Sequence, residues 1–149
     1  MIRQAEVSDA REFCNVVRTS IIELCELDHR GVESCLAEWL ENKTVEYCEV
    51  WINDENSNSF VSLVNGKVVG VSHIGHNGHL FLCYILPSVK GSGLGGQLLL
   101  VAEDSVKNIG LSELTLESTV TAKGFYEHHG YQCCGATANC LKYAKSIKP

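Results

Sequence analysis

No apolar run in this 149-residue chain approaches the roughly 18–20 residues needed to span a bilayer. The N-terminal stretch Met1-Ile2-Arg3-Gln4-Ala5 lacks the apolar segment of a signal peptide, so a cytoplasmic location is expected and no membrane partner. Lysine and arginine form no cluster either. With a formal charge of −6 the chain offers no surface for neutralising phosphates, and nucleic-acid binding is not expected. An acidic balance favours a cationic partner instead, although net charge says little about the local field in a cleft. The eight cysteines contain no C-x-x-C pair, which removes the usual signature of a metal or redox site. Most of them sit in apolar periodic segments, where free buried thiols are expected. Cys133-Cys134 is a vicinal pair on a strand, whose side chains should point to opposite faces. Repeats, low-complexity tracts and linkers are missing, and residues 1–149 read as one domain long enough for a full core.

What the chain does contain is a legible succession of elements. Met1–Ala5 reads as a short strand. Ser8 is a candidate N-cap, and Phe13, Val16, Val17, Ser20, Ile21 and Leu24 recur at helical spacing, so a helix is expected from Asp9 to about Glu26, broken over Leu27–Gly31. A second helix spans Val32–Glu41, and Thr44 caps a third through Trp51. Ser59–Val64, Lys67–His76 and His79–Leu86 form an antiparallel meander joined by Asn65-Gly66 and Asn77-Gly78, both signals for type I′ turns. A helix over Leu94–Ile109 ends at Gly110, and a strand over Glu113–Ser118 runs parallel to Leu80–Leu86 through that crossover. Thr121–His129 is a helix stopped by Gly130, and Tyr131–Ala136 with Ala138–Ala144 makes a final hairpin. The order predicts an α+β fold with a mixed, mostly antiparallel sheet.

The densest information lies in Leu80–Gly96, LFLCYILPSVKGSGLGG, where a strand ends at Pro87 and four glycines occupy six positions before a helix begins. Backbone N–H groups lie unpaired in a first helical turn, and the helix dipole adds partial positive charge there. Glycine lets a phosphate approach that backbone closely. Gly91, Gly93 and Gly96 fit the dinucleotide pattern G-x-G-x-x-G, and Glu117 follows at about the distance that pattern asks. The context counts against it: Pro87-Ser88-Val89-Lys90 separate the strand from the first glycine, and only 32 residues follow Glu117.

A second reading covers more of the chain. Ile85-Leu86-Pro87, Lys90-Gly91-Ser92-Gly93-Leu94-Gly95 and Leu98-Leu99 resemble the acetyl-CoA-binding motif of the GCN5-related N-acetyltransferases (GNAT). Leu116-Glu117-Ser118-Thr119, Ala122 and Phe125-Tyr126-Glu127-His128-His129-Gly130-Tyr131 resemble that family's next strand and its A-x-x-F-Y-E-x-x-G-[F/Y] helix. The resemblance implies the acyl-CoA N-acyltransferase fold, with helices on both faces of the sheet, and acetyl transfer from acetyl-CoA to a small amine. It leaves a homodimer open.

The same resemblance implies the site. The strands Leu80–Leu86 and Glu113–Ser118 would splay beyond a bulge, with the pantetheine arm filling the gap against the backbone of Tyr84, Ile85 and Leu86. The diphosphate would sit on the N–H groups of Gly91, Ser92, Gly93, Leu94, Gly95 and Gly96. Lys90 departs from the family's Gln or Arg, keeping positive charge without the planar fork. Thr119 stands where many relatives carry an Asn that touches the pantetheine. Tyr126 matches the tyrosine that often protonates the departing thiolate.

The general base is open. Phe81 occupies the place of the carboxylate many relatives carry, leaving Glu117, His76, His79 or a water relay. His76 and His79 flank Asn77-Gly78 and should face one another across the hairpin. His73, His76 and His79 spell H-x-x-H-x-x-H, but an odd spacing on strands points neighbours to opposite faces, and no metal is expected. Glu23, Glu26 and Asp28 either receive a cation or face solvent. A non-catalytic acyl-CoA-binding or sensing module remains the alternative function.

Overall fold

In the computed structural model, which describes residues 1–136 and 141–147, Arg3 grips Asp9 with two hydrogen bonds of 2.7 and 2.9 Å. That contact sets how the first strand, β1 (Ile2–Gln4), hands over to the first helix, α1 (Ala10–Leu24). Ser8 is not the N-cap. It lies inside a single 3-10 turn, Val7–Asp9, and Asp9 takes the cap position, its carboxylate also accepting the Glu6 N–H at 2.8 Å. The Arg3 guanidinium holds the Asp9 carboxyl below the usual carboxylate range, against the opposing effect of burial.

The expected break after α1 contains a helical turn of its own, α2 (Glu26–His29), closed by Arg30 and Gly31 at φ of 53° and 68°. Buried His29 explains the arrangement. Its Nδ1 accepts the Gly31 N–H at 3.0 Å, which leaves Nε2 to donate to the carbonyls of Ile21 and Ile22 at 3.0 and 3.2 Å. The last turn of α1 thereby finds a partner for carbonyls that a helix end leaves free. Then come α3 (Glu33–Leu40) and α4 (Val45–Asn53), the latter capped as expected by Thr44, whose hydroxyl accepts the Tyr47 N–H at 3.2 Å.

The remaining elements are β2 (Ser57–Val64), β3 (Lys67–Gly75), β4 (His79–Ile85), α5 (Leu94–Val106), β5 (Glu113–Ser118), α6 (Lys123–His128), β6 (Gln132–Ala136) and β7 (Leu141–Ser146). Sheet order is β1-β2-β3-β4-β5-β7-β6, and among the described residues only β4 and β5 run parallel. The mixed, mostly antiparallel α+β fold is as expected. Residues 138–140 of the expected last strand lie outside the described residues.

The two Asn-Gly turns differ. Asn65 and Gly66 both take positive φ, 52° and 78°, as a type I′ turn requires. At the second, only Gly78 does, at 88°, and its N–H donates to the Gly75 carbonyl at 2.9 Å, giving a three-residue loop. His76 and His79 therefore do not face one another. His76 Nε2 lies 3.2 Å from Asn58 Oδ1, while His79 Nδ1 lies 2.8 Å from Thr115 Oγ1 on β5.

The sheet carries a core on each face. Phe13, Val16, Val17 and Ile21 of α1 pack with Cys48 of α4 on Val61, Val71 and Leu82. On the opposite face Leu99, Ala102 and Val106 of α5 and Tyr126 of α6 pack on Ile74, Leu80, Leu114 and Leu116. Three cysteines, Cys14, Cys25 and Cys48, are buried and free as expected, but Cys35, Cys133 and Cys134 are exposed. The β6–β7 ladder is irregular between Cys133 and Gly135, so strict alternation of the vicinal pair does not hold.

Candidate functional site

β4 and β5 pair at only two positions, His79–Thr115 and Leu80–Leu116, and beyond them the strands part. Just there β4 carries a bulge: His73 pairs with Leu82 and Ile74 with Leu80, so Phe81 is the extra residue. The gap holds a cavity of about 210 Å³, walled by Ser20, Leu24 and Cys25 on one side, by Leu80–Ile85 and Lys90, and by Glu117, Thr119, Thr121, Ala122, Phe125 and Tyr126 on the other. Leu86 does not lie among these walls, and its N–H already donates to the Val69 carbonyl at 2.8 Å. Alternation along the strand turns the backbone of Tyr84 the same way, toward its register partner Val71, so Ile85 and Cys83 are the residues whose backbone faces the gap. The expected row Tyr84, Ile85, Leu86 is corrected to that extent.

From the gap the chain passes through a 3-10 turn, Pro87–Val89, into the glycine loop. Gly91 and Gly93 take φ of 81° and 86°, and a Cβ at either would meet nothing within 4 Å, so backbone conformation and open space are what glycine provides there. Among the described residues the N–H groups of Gly91, Gly93, Gly95 and Gly96 donate to no backbone oxygen, whereas those of Ser92 and Leu94, also expected to be free, donate to the Val89 carbonyl at 3.1 Å and to the Ser92 hydroxyl. Gly93 is the N-cap of α5, and this is the arrangement that receives an anion. Ser92 stabilises the loop itself, its hydroxyl donating to the Val89 carbonyl at 2.5 Å and accepting the Leu94 N–H at 3.3 Å. Gly95 and Gly96 serve a second purpose. A Cβ on Gly95 would lie 3.4 Å from Phe125 Cε1, and one on Gly96 only 2.9 Å from His129 Cε1, so these glycines let α6 pack onto the start of α5.

Of the side chains singled out from the sequence, Tyr126, Glu117, Thr119, Lys90 and Phe81 gather round this one cavity, whereas His76 and His79 do not line it. Tyr126 is 7% exposed, and burial pushes its phenol well above the ordinary tyrosine range, so it keeps its proton at neutral pH. Its ring is fixed by edge contacts to Phe125 at 5.1 Å and Tyr131 at 5.9 Å. Thr119 is engaged locally, its hydroxyl accepting the Ala122 N–H at 3.1 Å at the start of α6.

Two contacts at and beside the cavity could not be read from the sequence. The Tyr84 phenol enters the wall, also raised above its ordinary range by burial, because the bulge at Phe81 resets which residues of β4 face α1. Asp28 neither faces solvent freely nor waits for a cation: it accepts the Val120 N–H at 2.6 Å and the Thr121 hydroxyl at 2.6 Å, tying α2 to the loop before α6. Two thiols also line the gap. Burial pushes Cys25 and Cys83 up to about 12, so neither is a thiolate nucleophile at neutral pH.

A split sheet with an open glycine loop at the split is the arrangement that the resemblance to the N-acetyltransferases implied. The model of the acetyltransferase (GNAT) domain matches residues 26–140, and the chain belongs to that family. No curated protein is significantly similar to it in sequence. Among solved structures, the PaiA N-acetyltransferase of Thermoplasma acidophilum in complex with coenzyme A has a TM-score of 0.85 at 19% identity, over 98% of each chain. A GCN5-related N-acetyltransferase from Rhodopseudomonas palustris, also described as a class-II aminotransferase, has a TM-score of 0.87 at 18% identity, over 98% of this chain and 94% of that one. An aminoglycoside 6′-N-acetyltransferase complexed with coenzyme A has a TM-score of 0.74 at 16% identity, over 100% and 98%. At these identities the likeness is one of fold. No helix among the described residues is long and apolar enough to cross a membrane.

Proposed function

We propose that residues 1–149 form one N-acetyltransferase domain, which passes the acetyl group of acetyl-CoA directly to the primary amine of a small cationic acceptor in a ternary complex. The observation that carries this reading is the parting of β4 and β5 beside a loop whose glycine N–H groups have no backbone partner. Gly91, Gly93 and the first turn of α5 would hold the diphosphate, with Lys90 adding charge, and the gap-facing backbone of Cys83 and Ile85 would hold the pantetheine amides.

Acetyl-CoA supplies the acetyl group as an activated thioester. The amine nitrogen gives its lone pair to the new C–N bond, the C–S bond breaks, and sulfur leaves with the electron pair. Tyr126, kept protonated by burial, donates its proton to that sulfur. Glu117, on the facing strand, takes the proton the amine loses, directly or through water, and solvent restores both groups. Direct transfer fits the two buried thiols of the cavity, which lack the thiolate a covalent acetyl-enzyme needs.

Calorimetric titration with acetyl-CoA and with NADH tests the cosubstrate: binding of NADH alone overturns the reading. Release of CoA thiol on adding amines tests the reaction. The alternative, a non-catalytic acyl-CoA-binding module, is favoured by one feature, the ring of Phe81 where many relatives carry a carboxylate. Acetyl-CoA binding without turnover of any amine would establish that alternative.

A further inference from the structure

The bulge in β4 turns the ring of Phe81 out to 55% exposure at the wall of the cavity, although the strand lies in the middle of the sheet. The ring has company. His79 meets it edge-on at 4.9 Å and His73 lies 5.7 Å away; His73 packs on Trp51 at 6.2 Å, and Trp51 on Tyr47 at 6.4 Å. With Tyr47 itself 51% exposed, a row of rings leads from α4 to the mouth of the gap. The spacings are those at which aromatic rings attract one another, roughly 4.5–7 Å between centroids, so the row can be extended by one more ring from a ligand.

Charge narrows the choice of ligand. Glu117 follows the last bridged pair, Leu80–Leu116, on β5 as Phe81 follows it on β4, so carboxylate and ring flank the opening from opposite strands. Among the described residues Glu117 is the single carboxylate lining the cavity, and its side chain makes no hydrogen bond or ion pair, its register partner on β7 being Lys142. Asp28, which does not line the cavity, is already taken up by Val120 and Thr121. One carboxylate beside a wall of rings suits an acceptor with one ammonium group and an apolar or aromatic body. A polyamine would leave its further charges desolvated without an anion, which is costly.

We propose that Phe81 determines acceptor specificity, its ring receiving the aromatic or apolar portion of a monoamine whose nitrogen rests against Glu117. This rests on the acetyl-transfer reading above and names its substrate class. The test is steady-state release of CoA thiol from acetyl-CoA with 2-phenylethylamine and tryptamine against spermidine and an aminoglycoside, in the unmodified protein, Phe81→Ala and Phe81→Tyr. The aryl amines should have the higher kcat/KM. Phe81→Ala should lower kcat/KM for them roughly tenfold or more, the size expected for removing an apolar pocket wall, through KM for the amine and with KM for acetyl-CoA unchanged. Phe81→Tyr, which keeps the ring, should restore it. Turnover confined to spermidine or the aminoglycoside, or an unchanged aryl preference in Phe81→Ala, overturns this inference and leaves acetyl transfer standing. Acetyl-CoA binding with no release on any of the amines overturns both.

Discussion

Asp28 and Thr121 stand 93 residues apart in sequence and are joined by a 2.6 Å hydrogen bond from hydroxyl to carboxylate. The same carboxylate takes the Val120 N–H at 2.6 Å and the Thr121 N–H at 3.3 Å, so three donors from the loop before α6 converge on α2. Since α6 carries Tyr126, this clasp helps set where the phenol lies. Asp28→Ala leaves those donors to water, and because the site is near the surface the expected cost is modest, about 1–2 kcal/mol. Amide exchange at Val120 and Thr121 should quicken while the core of α5 keeps its protection; unchanged exchange in the loop would show that the clasp does not hold it.

Tyr126→Phe removes only the hydroxyl. If that hydroxyl protonates the departing sulfur, turnover at saturation should fall roughly 10²-fold with KM for acetyl-CoA little changed. Thermal stability should hardly move, because the ring contacts to Phe125 and Tyr131 remain. Normal turnover with chemistry rate-limiting would remove Tyr126 from the mechanism.

The glycines of the loop should separate by their substitutions. Gly93→Val puts a branched side chain at φ 86° on the anion-facing surface, and affinity for acetyl-CoA should be lost while the circular dichroism spectrum stays normal. Gly96→Ala instead puts a methyl group 2.9 Å from the far end of the His129 side chain, which can move aside, so stability should change by no more than about 1 kcal/mol and affinity for acetyl-CoA should be kept. Loss of acetyl-CoA affinity in Gly96→Ala as well would contradict the division of roles.

His73 gives the fold a pH dependence of known sign. Burial lowers its value from 6.5 to about 4, against a smaller opposing effect of Asp54. The unfolded chain therefore takes up the proton first as pH falls. The contribution of His73 is complete above pH 6.5 and declines toward pH 4, by about 3 kcal/mol over that window at roughly 1.4 kcal/mol per pH unit. Urea unfolding at pH 7 and pH 4.5 should differ less in His73→Gln than in the unmodified protein. An equal difference in both would place the dependence on other groups.

Much of this architecture could be read along the chain, because its signals are local. Glu113–Ser118 matches the strand expected after the Gly110 helix end to the residue, and Asn65-Gly66 announces its turn because few residue pairs tolerate two positive φ angles. Asn77-Gly78 misled for the same reason. The dipeptide permits a type I′ turn without compelling it, and the closing of the strands chose a three-residue loop that sends His76 and His79 to different neighbours.

The order of elements, the glycine loop and the neighbourhood of Tyr126 were determined by the sequence alone, since each depends on periodicity and on backbone freedom within a few residues. The tertiary structure alone decided that the expected bulge falls at Phe81 and that β4 parts from β5 after Leu80–Leu116, and it alone decided the turning of Leu86 away from the gap and the clasp between Asp28 and Thr121. Each of these is a matter of register or of contact between residues distant along the chain. Register follows from how two hydrophobic faces are buried at once, and no short stretch of sequence contains both faces.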